Sequence, residues 1–177
     1  MYFSCRRAEW GASAGETDGP GTPMDLGDMI APEAVIPSLK AKSKKQVLQD
    51  LAQKASALTG VKAADIFESL LTRERLGSTG VGRGIAIPHC RLGPIKRIFC
   101  LFARLEPTID FEAHDGDPVD LVFLLLAPEH AGADHLKALA RISRLMREPN
   151  SVEKLRASRD RAAIYSVLTE PMASHAA

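Results

Sequence analysis

Arg73-Glu74-Arg75-Leu76-Gly77-Ser78-Thr79-Gly80-Val81-Gly82-Arg83-Gly84-Ile85-Ala86-Ile87-Pro88-His89-Cys90-Arg91 is a glycine-punctuated loop that climbs into a short apolar stretch and delivers a histidine. The glycines open the approach, and loops of this kind hold anions close to the main chain through their N–H groups. Ile85, Ala86 and Ile87 predict a short buried strand, which Pro88 must end or place at an edge because it has no N–H for the ladder. His89 is thereby expected at a strand end, where open α/β sheets tend to keep their chemistry.

Working outward, Val35 and Ile36 between Pro32 and Pro37 predict a brief edge strand. Ser43 with Gln46 has the capping-box pattern, and apolar residues from Val47 to Leu58 recur at helical spacing until Gly60. A second helix is expected from Ala63 to Arg75, with Ile66, Phe67, Leu70 and Leu71 on one face. After a Gly93-Pro94 turn, Arg97 to Leu105 is a nearly continuous apolar run, as in a strand covered on both faces. Ile109 and Phe111 predict a short strand or bulge, and Val119 to Leu126 the central strand, stopped by Pro128. Asp134 is expected to cap a helix with Leu136, Leu139, Ala140, Ser143 and Met146 inward, ended by Pro149. Helices over 151–156 and 161–169 complete the order. The alternation predicts an α/β fold: one layered domain, a mixed central β-sheet flanked by helices on both faces. Residues 1–23, dominated by Gly, Ser, Ala, Thr, Asp and Pro, are expected to be a disordered extension, 24–170 the domain, and 171–177 a flexible tail.

Composition narrows the function classes. Lys and Arg number 23 against 22 Asp and Glu, so no global field draws the 177-residue chain to nucleic acid or an anionic membrane. Cys5, Cys90 and Cys100 include no C-x-x-C pair, which disfavours a disulfide framework and a zinc ribbon and fits reduced thiols in a cytoplasm. The longest apolar run, from Val119 to Ala127, is too short to span a bilayer, and membrane insertion is not expected. Gly80-Val81-Gly82-Arg83-Gly84 does not complete a dinucleotide fingerprint, because position 85 is Ile and a strand follows. His130 and His135 are five apart, which does not put them on one helical face as a metal pair needs, and His114 and His175 read as loop and tail residues. No metal or cofactor is expected.

His89 by itself reads as a nucleophile, an acid/base, a metal ligand or a structural histidine. A neutral imidazole can take a phosphoryl group reversibly on nitrogen, and the neighbouring Ser/Thr-bearing loop would supply hydrogen bonds to it. Residues 73–80 and 84–89 closely resemble the active-site signature of the mannitol/fructose-type enzyme IIA domains of the bacterial phosphotransferase system, most of all the nitrogen-regulatory branch. The resemblance runs from about Met24 to Thr169. It implies a phosphohistidine-carrying regulatory protein in which His89 accepts phosphate from an HPr-like carrier of the nitrogen branch. It implies His135 as a second histidine, Arg73 as a pocket arginine, and Ser78, Thr79 and Gly80 as the phosphoryl-holding loop. Implied regulated partners are sensor kinases or potassium transport components, with no nucleic acid. The alternatives are a sugar-specific IIA that passes phosphate to a separate IIB, and a binding module of the same fold without phosphotransfer. Cys90 stands where these domains commonly have glycine; it reads as an oxidation-sensitive thiol or a small packed side chain, and packing is favoured.

Overall fold

The computed structural model describes residues 24–171, so the expected extension 1–23 and nearly all of the expected tail lie outside the described residues. Two short 3-10 turns, Leu26–Asp28 and Pro32–Ala34, lead into β1 (Val35–Leu39), α1 (Lys44–Thr59) and α2 (Ala63–Arg75). Then come β2 (Gly80–Gly82), β3 (Ile85–Ala86), β4 (His89–Leu92), β5 (Phe99–Ile109), β6 (Val119–Pro128), α3 (Ala133–Arg147), α4 (Pro149–Ala157) and α5 (Arg161–Thr169). The sheet is open and mixed, in the order β1-β5-β6-β3-β2, with β4 pairing with β6 beyond β3. Leu121 to Ala127 of β6 are all fully buried, so the central strand is covered on both faces. The cover consists of the packed pair α1 and α2 and the packed series α3, α4 and α5.

The expected signals act where they were placed. The Ser43 hydroxyl accepts from the Gln46 N–H at 3.2 Å to start α1, and Gly60, at φ 79°, ends it. The Gln46 side chain returns one residue earlier than a capping box requires, to Lys42 N–H.

Several local expectations are corrected. The approach to His89 is not all loop: β2 and β3 form a hairpin whose two turn residues, Arg83 (φ 58°) and Gly84 (φ 79°), supply the paired positive φ of a type I′ turn. The expected strand over 85–87 is two residues long, and the unforeseen β4 resumes the same line along β6 after Pro88. Both pieces keep one register: Ile85 opposite Leu121, His89 opposite Leu125. In α3, Asp134 caps nothing; Gly132 (φ 50°) precedes the helix, and the buried face carries His135, Ala138, Ile142, Leu145 and Met146. That face is one residue out of phase with the expected one, which leaves Leu136 65% exposed. Finally, Pro149 opens α4 rather than ending α3, since at a first helical position its missing N–H costs nothing.

Candidate functional site

The interruption at Pro88 builds the site. Pro88 still gives its carbonyl to Leu125 N–H at 3.0 Å, so the strand line along β6 holds across the break. Ile87 directs its backbone groups elsewhere. Its N–H donates to Thr79 O at 2.9 Å, and its carbonyl accepts His89 Nδ1 at 2.8 Å. A carbonyl can only accept, so Nδ1 carries the ring proton and Nε2 keeps the lone pair. Arg73, in the last turn of α2, donates Nε–H to that lone pair at 3.2 Å and Nη1–H to Gly77 O at 2.9 Å. One guanidinium therefore spans the end of α2 and the lone-pair side of the His89 ring.

Strand alternation puts His89 and Arg91 on one side of β4 and the buried Cys90 and Leu92 on the other. Arg91 Nε–H donates to His135 Nδ1 at 3.1 Å. Arginine has no lone pair to offer, so His135 Nδ1 is the acceptor and Nε2 bears hydrogen. His135 is 6% exposed, its Nε2 is buried without a hydrogen-bond partner, and its ring centroid lies 5.6 Å from that of His89. The two imidazoles are thus in complementary tautomers: a lone pair at Nε2 of His89 and an unused N–H at Nε2 of His135.

Both rings titrate below the ordinary histidine value. For His89 burial is the main cause, partly countered by the Ile87 carbonyl and reinforced by the Arg73 charge; for His135 burial leads, followed by His89 and Arg91. Both shifts favour the neutral ring at physiological pH, which leaves each imidazole one lone pair.

The loop hydroxyls are already engaged. Thr79 donates its N–H (3.0 Å) and its hydroxyl (2.6 Å) to the carboxylate of Glu74, and Lys44 Nζ lies 2.7 Å from the same group. Ser78 Oγ donates to Phe111 O at 2.5 Å and accepts from Gly80 N–H at 3.1 Å. Among the expected residues, then, the fold brings Arg73, His89 and His135 together, while Ser78 and Thr79 tie the loop to the body. Gly80 packs so closely that an added Cβ would lie 2.9 Å from Ala113 Cβ. Two residues with no earlier assignment join the site, Glu74 as the anchor of the loop and Arg91 as the partner of His135. Arg91 left one trace in the sequence, its i+2 spacing from His89. Cys90 is packed, and burial pushes its thiol up to about 11, so the packing reading holds.

Three cavities, of about 280, 450 and 300 Å³, are lined by other residues, and none has His89, Arg73 or His135 in its wall. His89 is half-buried, and Leu76 and Leu136, near Arg73 and His135 in sequence, are exposed. No cluster of His, Cys, Asp and Glu able to hold a metal occurs among the described residues. No helix among them is long and apolar enough to cross a membrane.

Residues 28–170 match the family model described as phosphoenolpyruvate-dependent sugar phosphotransferase system, EIIA 2. A nitrogen regulatory protein of Bradyrhizobium diazoefficiens is 62% identical over 153 residues, covering 86% of this chain and all of the relative. The crystal structure of nitrogen regulatory protein IIA-Ntr from Neisseria meningitidis superimposes with a TM-score of 0.78 at 32% identity, over 81% of this chain and 99% of that one. The mannitol enzyme IIA of Escherichia coli, solved in complex with phosphorylated mannitol enzyme IIB, shares the fold at a TM-score of 0.68 and 16% identity, over 79% and 98% of the two chains. The chain belongs to the EIIA 2 family of the phosphoenolpyruvate-dependent phosphotransferase system, among its nitrogen regulatory proteins.

Proposed function

We propose that this protein is a phosphohistidine carrier whose phosphorylation state regulates its partners, with His89 Nε2 as the acceptor atom. The observation that carries the reading is the pairing of tautomers. The Nε2 lone pair of one imidazole, held at rest by the Arg73 guanidinium, belongs to a ring that lies beside a second imidazole whose Nε2–H is buried and unsatisfied. A buried donor without a partner is costly, and a phosphoryl oxygen would satisfy it.

In the step we envisage, Arg73 Nε–H shifts from the lone pair to a phosphoryl oxygen. The His89 Nε2 pair forms the new N–P bond while the donor histidine's N–P bond breaks, and the donor nitrogen keeps those electrons. No proton has to move. Positive charge gathered on the His89 ring is held by the Nδ1–H hydrogen bond to Ile87 O, and charge on the phosphoryl oxygens by Arg73 and His135. Ser78, Thr79 and Gly80 act by shaping the loop beside this space. The donor is an HPr-like carrier of the nitrogen branch, and the added charge of about −1.5 to −2 changes which proteins dock, among them sensor kinases or potassium transport components.

The test is to incubate the purified protein with phosphoenolpyruvate, enzyme I and either the nitrogen-branch or the sugar-branch carrier. Expected is an acid-labile, base-stable phosphate on the wild type that His89→Ala lacks, formed faster with the nitrogen-branch carrier. Absence of label on the wild type would leave only the binding module of the same fold. Labelling by the sugar-branch carrier followed by transfer to a IIB protein would make this a sugar-specific component.

A further inference from the structure

We propose that Arg91 is a positioning residue for phosphoryl transfer: it fixes His135 as the Nε2–H tautomer and so aims a hydrogen-bond donor, rather than a lone pair, at the group arriving on His89. The inference rests on the functional reading above and extends it to a residue outside the catalytic set.

The argument is one of donors and acceptors. A neutral imidazole has one N–H and one lone pair, and which nitrogen holds which is decided by its neighbours. Left alone, His135 would exchange between tautomers, and in one of them Nε2 would present a lone pair. That lone pair would repel a phosphoryl oxygen, since both are acceptors. Arg91 removes the choice. Its Nε–H, 3.1 Å from Nδ1, can only donate, so the proton of His135 must sit on Nε2. The buried Nε2 has no competing partner to hold it, and the His89 ring is its neighbour at 5.6 Å between centroids.

The placement of Arg91 follows from the backbone. It is two residues beyond His89 on β4, hence on the same side of the strand, and Arg91 stands opposite Ala127 of β6. Ladder and helix thus hold Arg91, His89 and His135 in one frame. His89 is set in the opposite tautomer by a main-chain carbonyl, His135 by a side chain. Only the second can be changed by substitution without disturbing the strand.

Two measurements on the full-length protein test this. The first is a long-range 1H–15N spectrum of histidine-labelled protein at pH 8, which reports the tautomer of His135 without any phosphorylation. The wild type should show Nε2–H alone, Arg91→Met a mixture with Nδ1–H, and Arg91→Lys, which keeps a donor, a return toward Nε2–H. The second is the rate of transfer to His89 from the phosphorylated carrier. Arg91→Met should lower kcat about five- to tenfold, as expected for one misdirected hydrogen bond, with KM unchanged and partial rescue by Arg91→Lys. An Nδ1–H signal in the wild type, an unmoved tautomer in Arg91→Met, or a moved tautomer with an unchanged kcat would each overturn the proposal. Should the wild type never accept phosphate, the functional reading fails, and the spectrum alone decides whether Arg91 holds the tautomer.

Discussion

Two neutral histidines side by side have a consequence in acid. Each folded-state value lies below the ordinary 6.5, so near and below that pH the unfolded chain binds more protons than the native one. Stability is therefore full above about pH 6.5 and declines as the pH falls through 6.5 toward the folded values. Urea midpoints measured from pH 8 down to 5 should drop in the lower half of the range, and the drop should shrink when both residues are changed to glutamine. An equal pH slope in that double variant would show that other groups titrate. Cys90 gives a second residue-level prediction. With its thiol raised to about 11 and its side chain packed, iodoacetamide at pH 8 should leave it unmodified in the native protein and modify it readily in urea. Rapid native labelling, read by peptide mass, would return Cys90 to the oxidation-sensitive reading.

Among the elements, the β2–β3 hairpin is tied through its turn to distant parts of the fold. Gly84 sits at φ 79°, and an added Cβ would lie 2.5 Å from Arg156 Nη2 and 2.8 Å from Asp120 Oδ1. Those two groups form the ion pair that joins α4 to β6, with Arg156 also donating to Arg83 O. Gly84→Ala combines backbone strain with the displacement of that pair, and should cost about 1–3 kcal/mol in denaturant unfolding. A change below about 0.5 kcal/mol would mean that the turn relaxes freely. The same element shows where sequence patterns stop being informative. Helices α1 and α2 carry a long apolar period and, for α1, caps at both ends, and both were legible. Strands of two to four residues such as β2, β3 and β4 are too short to display alternation, so Val81-Gly82-Arg83-Gly84 read as loop. Helix α3 was misphased because its buried face includes a histidine, which a count of apolar positions passes over in favour of Leu136.

For the whole molecule, the fully buried β6 is the spine, and the site lies where β4 runs alongside its C-terminal half. His89 is half-buried on β4, and in the proposed relay its phosphoryl group is delivered by another protein. Leu76 (82% exposed), just past the end of α2, and Leu136 (65% exposed), next to His135 in α3, would offer apolar contact to such a protein. Changing both to serine should raise the KM for the carrier about fivefold and leave kcat and the melting temperature nearly unchanged. An unaltered KM would place docking elsewhere. The order of the five helices and of the longer strands β1, β5 and β6, the central position of β6 and the candidacy of His89 were determined by the sequence alone, since each rests on local chemistry: apolar runs, caps, a proline before a histidine. What only the tertiary structure decided is which atoms meet. Arg91 is 44 residues from His135, and Glu74 receives Lys44 from another helix. Tautomers and buried charges are settled by neighbours brought in from distant parts of the chain, and no local pattern encodes their distance.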